Sequence, residues 1–179
     1  MPRYSPWLAA ALLIAGCATA PPQTSTPPVE SEVRSVFLGP RGAVNDDVTQ
    51  ANIQQTICVP GWTATVRPST SYTNGVKAKL LRERGLPQSD SAKYELDHVI
   101  PLALGGHPRK LENLWLQPWD GEWSARVKDR LEVKLKAMVC NSEITLERAR
   151  RAIATDWIAA FKGYVNARDA SVELLEPVD

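Results

Sequence analysis

Between Tyr94 and Ile100 alternating and β-branched residues set a rhythm of two, which predicts a short strand. Pro101 and the Gly105-Gly106 pair must break that strand and open a loop, and Leu111 to Leu116 then predicts a second strand. A loop over Gln117 to Trp123 follows. From Ser124, a natural N-cap, the rhythm lengthens: Val127, Leu131, Leu135 and Met138 recur at spacings of four and three, the buried stripe of a helix ending near Val139. A further long helix is expected from an N-cap at Thr145, with Glu147 in its first turn and Leu146, Ala149, Ile153, Trp157, Phe161 and Tyr164 at helical spacing to about Val165. Its apolar face is expected to pack against the first helix.

Upstream the pattern weakens. Val76 to Arg84 fits a short helix with Val76, Leu80 and Leu81 inward, entered through a turn at Asn74-Gly75 and stopped by Gly85. Its outer face carries Lys77, Arg82 and Arg84. Val48 to Ile53 predicts another short helix, capped by Asp46 or Asp47, while the alternation of Thr63 to Pro68 predicts a strand. The expected class is therefore α+β, with two strands and a helix at the centre, additional helices, and a short N-terminal β segment.

Length changes this picture only at the ends, since 179 residues suit one domain with appendages. Trp7 to Ala15 is an apolar run too short to span a bilayer comfortably, after a weakly positive start at Arg3. Leu13-Ile14-Ala15-Gly16-Cys17 resembles the lipobox of bacterial lipoproteins, which implies a signal peptide over 1–16 and lipid attachment at Cys17. The competing reading is a secretory signal cut after Ala18-Thr19-Ala20. Either way the chain is expected outside the cytoplasm, in the cell envelope, facing the periplasm or the exterior. Residues 17–31, rich in Pro, Thr and Ser, form an extended tether, 32–166 the domain, and 167–179 an acidic tail.

Charge excludes little. The chain carries 21 basic and 20 acidic residues, so net charge does not announce a nucleic-acid partner. Between Lys77 and Lys136, however, 12 Lys and Arg stand against 9 Asp and Glu, a local excess of three that is compatible with a phosphate-bearing substrate. Lys128, Glu132 and Lys136 alternate in sign and read as a solvent-facing ladder of ion pairs. Arg126, Arg130 and Lys134 repeat one sign at spacings of four, which costs roughly a few tenths of a kcal/mol per pair and would be relieved by a nucleic-acid backbone. With Cys17 used by the signal, Cys58 and Cys140 remain and, in an oxidising compartment, are expected to pair.

The chemistry centres on Asp97 and His98. Adjacent strand residues point to opposite faces, so both can serve one site only where the strand ends or bulges. A hard divalent cation takes oxygen ligands such as Asp97, with the Asn113 amide a further oxygen donor, and stabilises charge on a phosphoryl oxygen. A neutral His98 can take a proton from water. Alone, such a pair on a strand is more often structural than functional. Its surroundings reverse that weighting: Asp97-His98, Pro101-Leu102, Gly105-Gly106 and Asn113-Leu114, with His98 and Asn113 fifteen apart, resemble the HNH endonucleases over positions 94 to about 132.

The resemblance implies a ββα-metal unit, with its core at about 94–139, that hydrolyses phosphodiester bonds with little sequence preference. It implies Asp97 as metal ligand, His98 as general base and Asn113 as the central Asn that fixes the loop or the base. Many members place a metal-binding His nine residues beyond that Asn, where this chain has Glu122, with Asp120 in competition. Carboxylates suit hard cations, so the implied cofactor is Mg2+ or Mn2+, ahead of Zn2+ or Ca2+. Paired Cys-x-x-Cys knuckles are missing, and no structural zinc is expected. His107, between a Gly pair and Pro108, reads as a solvated loop residue. Trp115, Trp119 and Trp123 read as a hydrophobic brace ahead of base-stacking rings. The expected partners are nucleic acid, DNA ahead of RNA, and a membrane through the lipid anchor, with the protein a monomer. Two other classes stay open: a non-catalytic envelope lipoprotein that binds nucleic acid or a protein with a degenerate HNH fold, and an envelope structural protein.

Overall fold

A computed structural model describes residues 42–166, so the signal, Cys17, the tether and the acidic tail lie outside the described residues. The class is α+β: a two-stranded sheet and several helices. Strand β1 (Tyr94–His98) pairs antiparallel with β2 (Leu114–Pro118), with Asp97 opposite Trp115 and His98 opposite Leu114. The second strand starts later than its pattern predicts, because Leu111–Asn113 closes into a 3-10 turn before the chain extends.

The upstream β segment is corrected. Thr63 to Val66 is helical, within α1 (Trp62–Val66). Gly61, at φ +80°, turns the chain into it, the Thr65 hydroxyl donates back to the Trp62 carbonyl at 2.7 Å, and among the described residues no strand lies alongside to accept the alternating pattern as sheet. Helix α2 (Thr70–Glu83) begins six residues earlier than expected, because the Ser69 hydroxyl caps Tyr72 N, and it carries Asn74-Gly75 in its interior rather than as a turn. The short upstream helix is a 3-10 segment, Gln50–Gln55, entered from Thr49, not capped by Asp46 or Asp47. There the Asn52 side chain accepts from Thr49 N at 2.8 Å.

Helix α3 (Ala125–Cys140) lies against α4 (Leu146–Phe161), whose Thr145 cap is as expected: its hydroxyl accepts from Arg148 N. Leu131, Leu135 and Val139 of α3 and Leu146, Ala149, Ile153, Trp157 and Phe161 of α4 form one core with Val48, Ile57 and Leu104. Val139 closes the α3 stripe; Met138 and Val127 are only half-buried. The disulfide Cys58–Cys140, with Cα atoms 5.6 Å apart and a sequence separation of 82, ties the upstream segment to the end of α3. No helix among the described residues is long and apolar enough to cross a membrane.

Between the strands the chain doubles back tightly. Gly106 lies so close to Ile100 that a Cβ would occupy the Ile100 carbonyl, and Gly105 has a positive φ with Val48 and Arg150 against it. The approach demands glycine at both positions. Arg150 of α4 holds this loop by donating to the carbonyls of Leu104 (2.7 Å), Val48 (3.0 Å) and Gly105 (3.2 Å).

Candidate functional site

Strand β1 ends at His98, and that ending lets neighbours of opposite pleat share one cavity. Its volume is about 150 Å³, and Arg67, Glu95, Asp97, His98, Asp129 and Glu132 supply its charged lining, beside the loop residues Pro101 to Ala103. Glu95 and Asp97 come from one face of β1, two residues apart. Asp129 and Glu132 come from α3, and Arg67 from the end of α1.

His98 is 8% exposed, and its Nε2 lies 3.2 Å from the Pro108 carbonyl. A carbonyl can only accept, so Nε2 carries the hydrogen and Nδ1 the lone pair; no described residue bonds to Nδ1. Burial lowers the imidazole pKa, against the opposing pull of the Pro108 bond and the Asp97 charge. The ring is thus neutral at pH 7, the form that accepts a proton.

Asp97 is anchored twice. Its Oδ1 accepts from His98 N at 2.7 Å and its Oδ2 from Lys128 Nζ at 2.8 Å. The Lys128 ammonium spends its other two hydrogens on the His98 carbonyl (2.8 Å) and Glu132 Oε1 (2.6 Å). The solvent-facing ladder is therefore corrected: Lys128 is 1% exposed, because it occupies the apolar stripe of α3, three residues before Leu131 and seven before Leu135. Burial alone would lower its pKa, but Asp97 and Glu132 outweigh that and hold it above the ordinary value. Burial pushes Glu132 up, aided by the Asp97 charge and opposed by Lys128.

Asn113 is fully buried and fixes the loop. Its Oδ1 accepts from Ile100 N (2.9 Å) and Ala43 N (3.2 Å), and its Nδ2 donates to the carbonyls of Ile100 and His107, both at 3.0 Å. With both lone pairs of Oδ1 taken, the amide offers nothing to a metal. Glu122 and Asp120 are exposed in the β2–α3 connection and do not line the cavity. The expected ligands Asp97, Asn113 and Glu122 are thus not brought together, and among the described residues no three His, Cys, Asp or Glu side chains are grouped to hold a metal ion.

The basic stripe lies beside the cavity rather than in it. Arg126 stacks over Trp119 at 5.6 Å and Arg130 over Phe161 at 5.1 Å, while Arg130 and Lys134 line a shallow groove with Val133 that shares Asp129 with the cavity. Trp123 meets Trp157 and Phe161 edge-on, a hydrophobic brace. His107 Nδ1 accepts from Arg109 N and Lys110 N and closes its own turn.

Glu95 was not among the expected site residues, although the period-two rule places it on the Asp97 face. Burial pushes its carboxyl up to about 7, with the Asp97 and Asp129 charges adding to the shift. Its Oε2 is buried without a hydrogen-bond partner among the described residues. The buried place of Lys128 was legible from its spacing, but Arg67 reaches the cavity from a distant segment with no local signal. Compared with protein-family models, with curated proteins and with solved structures, the chain matches none, so the chemistry of the site rests on its own atoms.

Proposed function

We propose that this chain is an endonuclease, a phosphodiesterase that cuts nucleic acid internally, with His98 as general base. The fixed imidazole carries the reading: Nε2 is spent on Pro108, burial keeps the ring neutral, and Nδ1 remains as proton acceptor. The cavity, at about 150 Å³, has room for a phosphate group, given that one water takes about 30 Å³. Lys128 and Asp97 hold the backbone on either side of the His98 peptide, so the ring keeps its aim. Arg126 and Arg130, exposed on the same helix, are the cations that a nucleic-acid backbone passing His98 could meet, although the groove beside them is lined by apolar surface.

The ββα-metal architecture, DNA ahead of RNA as substrate, and the envelope location with an anchor at Cys17 belong to this proposal through the sequence resemblances. No step is routed through a divalent ion, because its expected ligands do not meet. Incubating the full chain with supercoiled plasmid and with RNA, in Mg2+, in Mn2+ and in chelator, tests the reading. Cleavage by the parent and a loss of about 100-fold or more in His98→Ala are expected. No cleavage under any condition overturns it. Binding without cleavage favours the non-catalytic reading, whose supporting observation is that the Lys128 ammonium already neutralises Asp97.

A further inference from the structure

Helix α3 and the last described turn leave an apolar surface that no described residue covers. Val133 is 70% exposed, the most exposed large apolar side chain among the described residues, and Ala137 lies one turn further along the same face. With Val165, Arg130, Lys134 and Asp129 they line a shallow groove of about 490 Å³. Its open surface is almost wholly apolar, so the two cations present their aliphatic stems to it.

The chain itself leads to this groove. Val165 comes one residue before Asn166, the last described, and residues 167–179 continue from there. They carry Val172, Leu174, Leu175 and Val178 among Asp169, Glu173, Glu176 and Asp179, with Arg168 their single cation. We propose that segment 167–179 docks on the α3 groove and competes there with nucleic acid. Its apolar side chains cover Val133 and Ala137, and its carboxylates meet Arg130 and Lys134. The competition rests on the endonuclease reading above; the docking does not.

Reach, charge and tethering each favour this occupant. From Asn166 to Leu174 an extended chain spans roughly 26 Å, at about 3.3 Å per residue. Arg130 to Ala137 covers only about 10 Å of helix. The segment has a net charge of −3, four acidic residues against one basic, while Arg130 and Lys134 form no ion pair among the described residues. The one carboxylate on the groove, Asp129, has Arg168 to answer it. A nucleic-acid backbone would match the cations but leave the apolar floor bare, since phosphates bury no hydrocarbon. A short tether also holds the segment at an effective concentration on the order of mM, so a contact too weak for a separate partner suffices. Arg130 then has two claimants. A backbone passing His98 along Arg126 and Arg130 must take one of the segment's two cations, so the chain carries its own competitor.

A zero-length carbodiimide, which joins a carboxylate to an amine in direct contact, tests the docking on the full chain. Cross-links from Lys134 to Glu173 or Glu176 are expected within the monomer, at a yield independent of protein concentration. Leu174→Ser with Leu175→Ser should cut that yield about tenfold, and Val133→Ser about threefold, with thermal unfolding as the check that both variants keep the fold. The double variant should also bind a mixed-sequence DNA duplex about fivefold more tightly, because Arg130 is released. No cross-link to Lys134, cross-links only between copies, or a yield indifferent to both variants overturns the docking. Cross-linking with equal DNA affinity in parent and double variant overturns the competition. Cross-linking with no binding of DNA or RNA by either protein overturns the competition and the endonuclease reading together and leaves the docking standing.

Discussion

Helix α3 is held on one side by ions and on the other by hydrocarbon. Toward β1 a single ammonium, Lys128 Nζ, bonds Asp97, Glu132 and the His98 carbonyl. Toward α4 the contact is spread over Leu131, Leu135 and Val139, in a core that the disulfide at Cys140 joins to the upstream segment. Apolar contact is non-directional and divided among many atoms, so losing part of it loosens the fold by degrees. A buried ionic cluster is directional, and removing one member leaves the others charged and unpaired. The position of the site thus depends on a few atoms, and the stability of the fold on many.

Breaking the ionic side should have the largest effect. Lys128→Met fits the volume but strands Asp97 and Glu132, and a loss of about 3–5 kcal/mol is expected in urea unfolding, together with loss of cleavage. A loss under about 1 kcal/mol would show that the cluster does not hold the helix to the strand. Reducing the disulfide tests the other side: about 2–4 kcal/mol and a lower Tm, with cleavage retained below the new Tm because the cavity lining includes neither cysteine. Cleavage lost on reduction well below the Tm would show that the two sides are not separable.

The smallest effect sharpens the contrast and has the opposite sign. The Glu95 carboxyl titrates near 7 in the folded chain against an ordinary 4.5, so its contribution to stability is full below pH 4.5 and is lost as pH rises through 7. Glu95→Gln removes that loss. The full shift would be worth about 3 kcal/mol, and the half exposure of the side chain reduces it to about 1–2 kcal/mol in favour of the variant at pH 8, with no advantage at pH 4.5. Equal unfolding curves at both pH values would show that Glu95 is not strained in the native state.

The features legible in the sequence were those encoded by neighbours. The rhythm of Tyr94 to His98, the break at Pro101, the Gly pair and the α4 stripe from Leu146 to Phe161 are local patterns, and the folded chain carries each. The pleat alone left two routes for the Asp97-His98 pair to share a site, an end or a bulge, and β1 takes the first, stopping at His98 short of the expected Ile100. The misread segments were those where a local pattern lacked its tertiary partner. Thr63 to Pro68 alternates like a strand but has no strand beside it among the described residues, and Lys128 reads as surface by type while lying inside by spacing. Asn113 and Glu122 were joined to Asp97 by resemblance, yet the four bonds of the Asn113 amide turn it onto the loop backbone.

One feature of the loop reaches beyond its own packing. Gly42 N donates to the Glu112 carbonyl, Ala43 N to the Asn113 amide and Asn45 N to the Gly105 carbonyl, while His107 N donates to the Ala43 carbonyl. The described chain therefore enters the domain stitched along the same backbone that Asn113 clamps behind His98. A pull exerted from the N-terminal direction would meet these bonds, and the loop they fasten, before it reached the helical core.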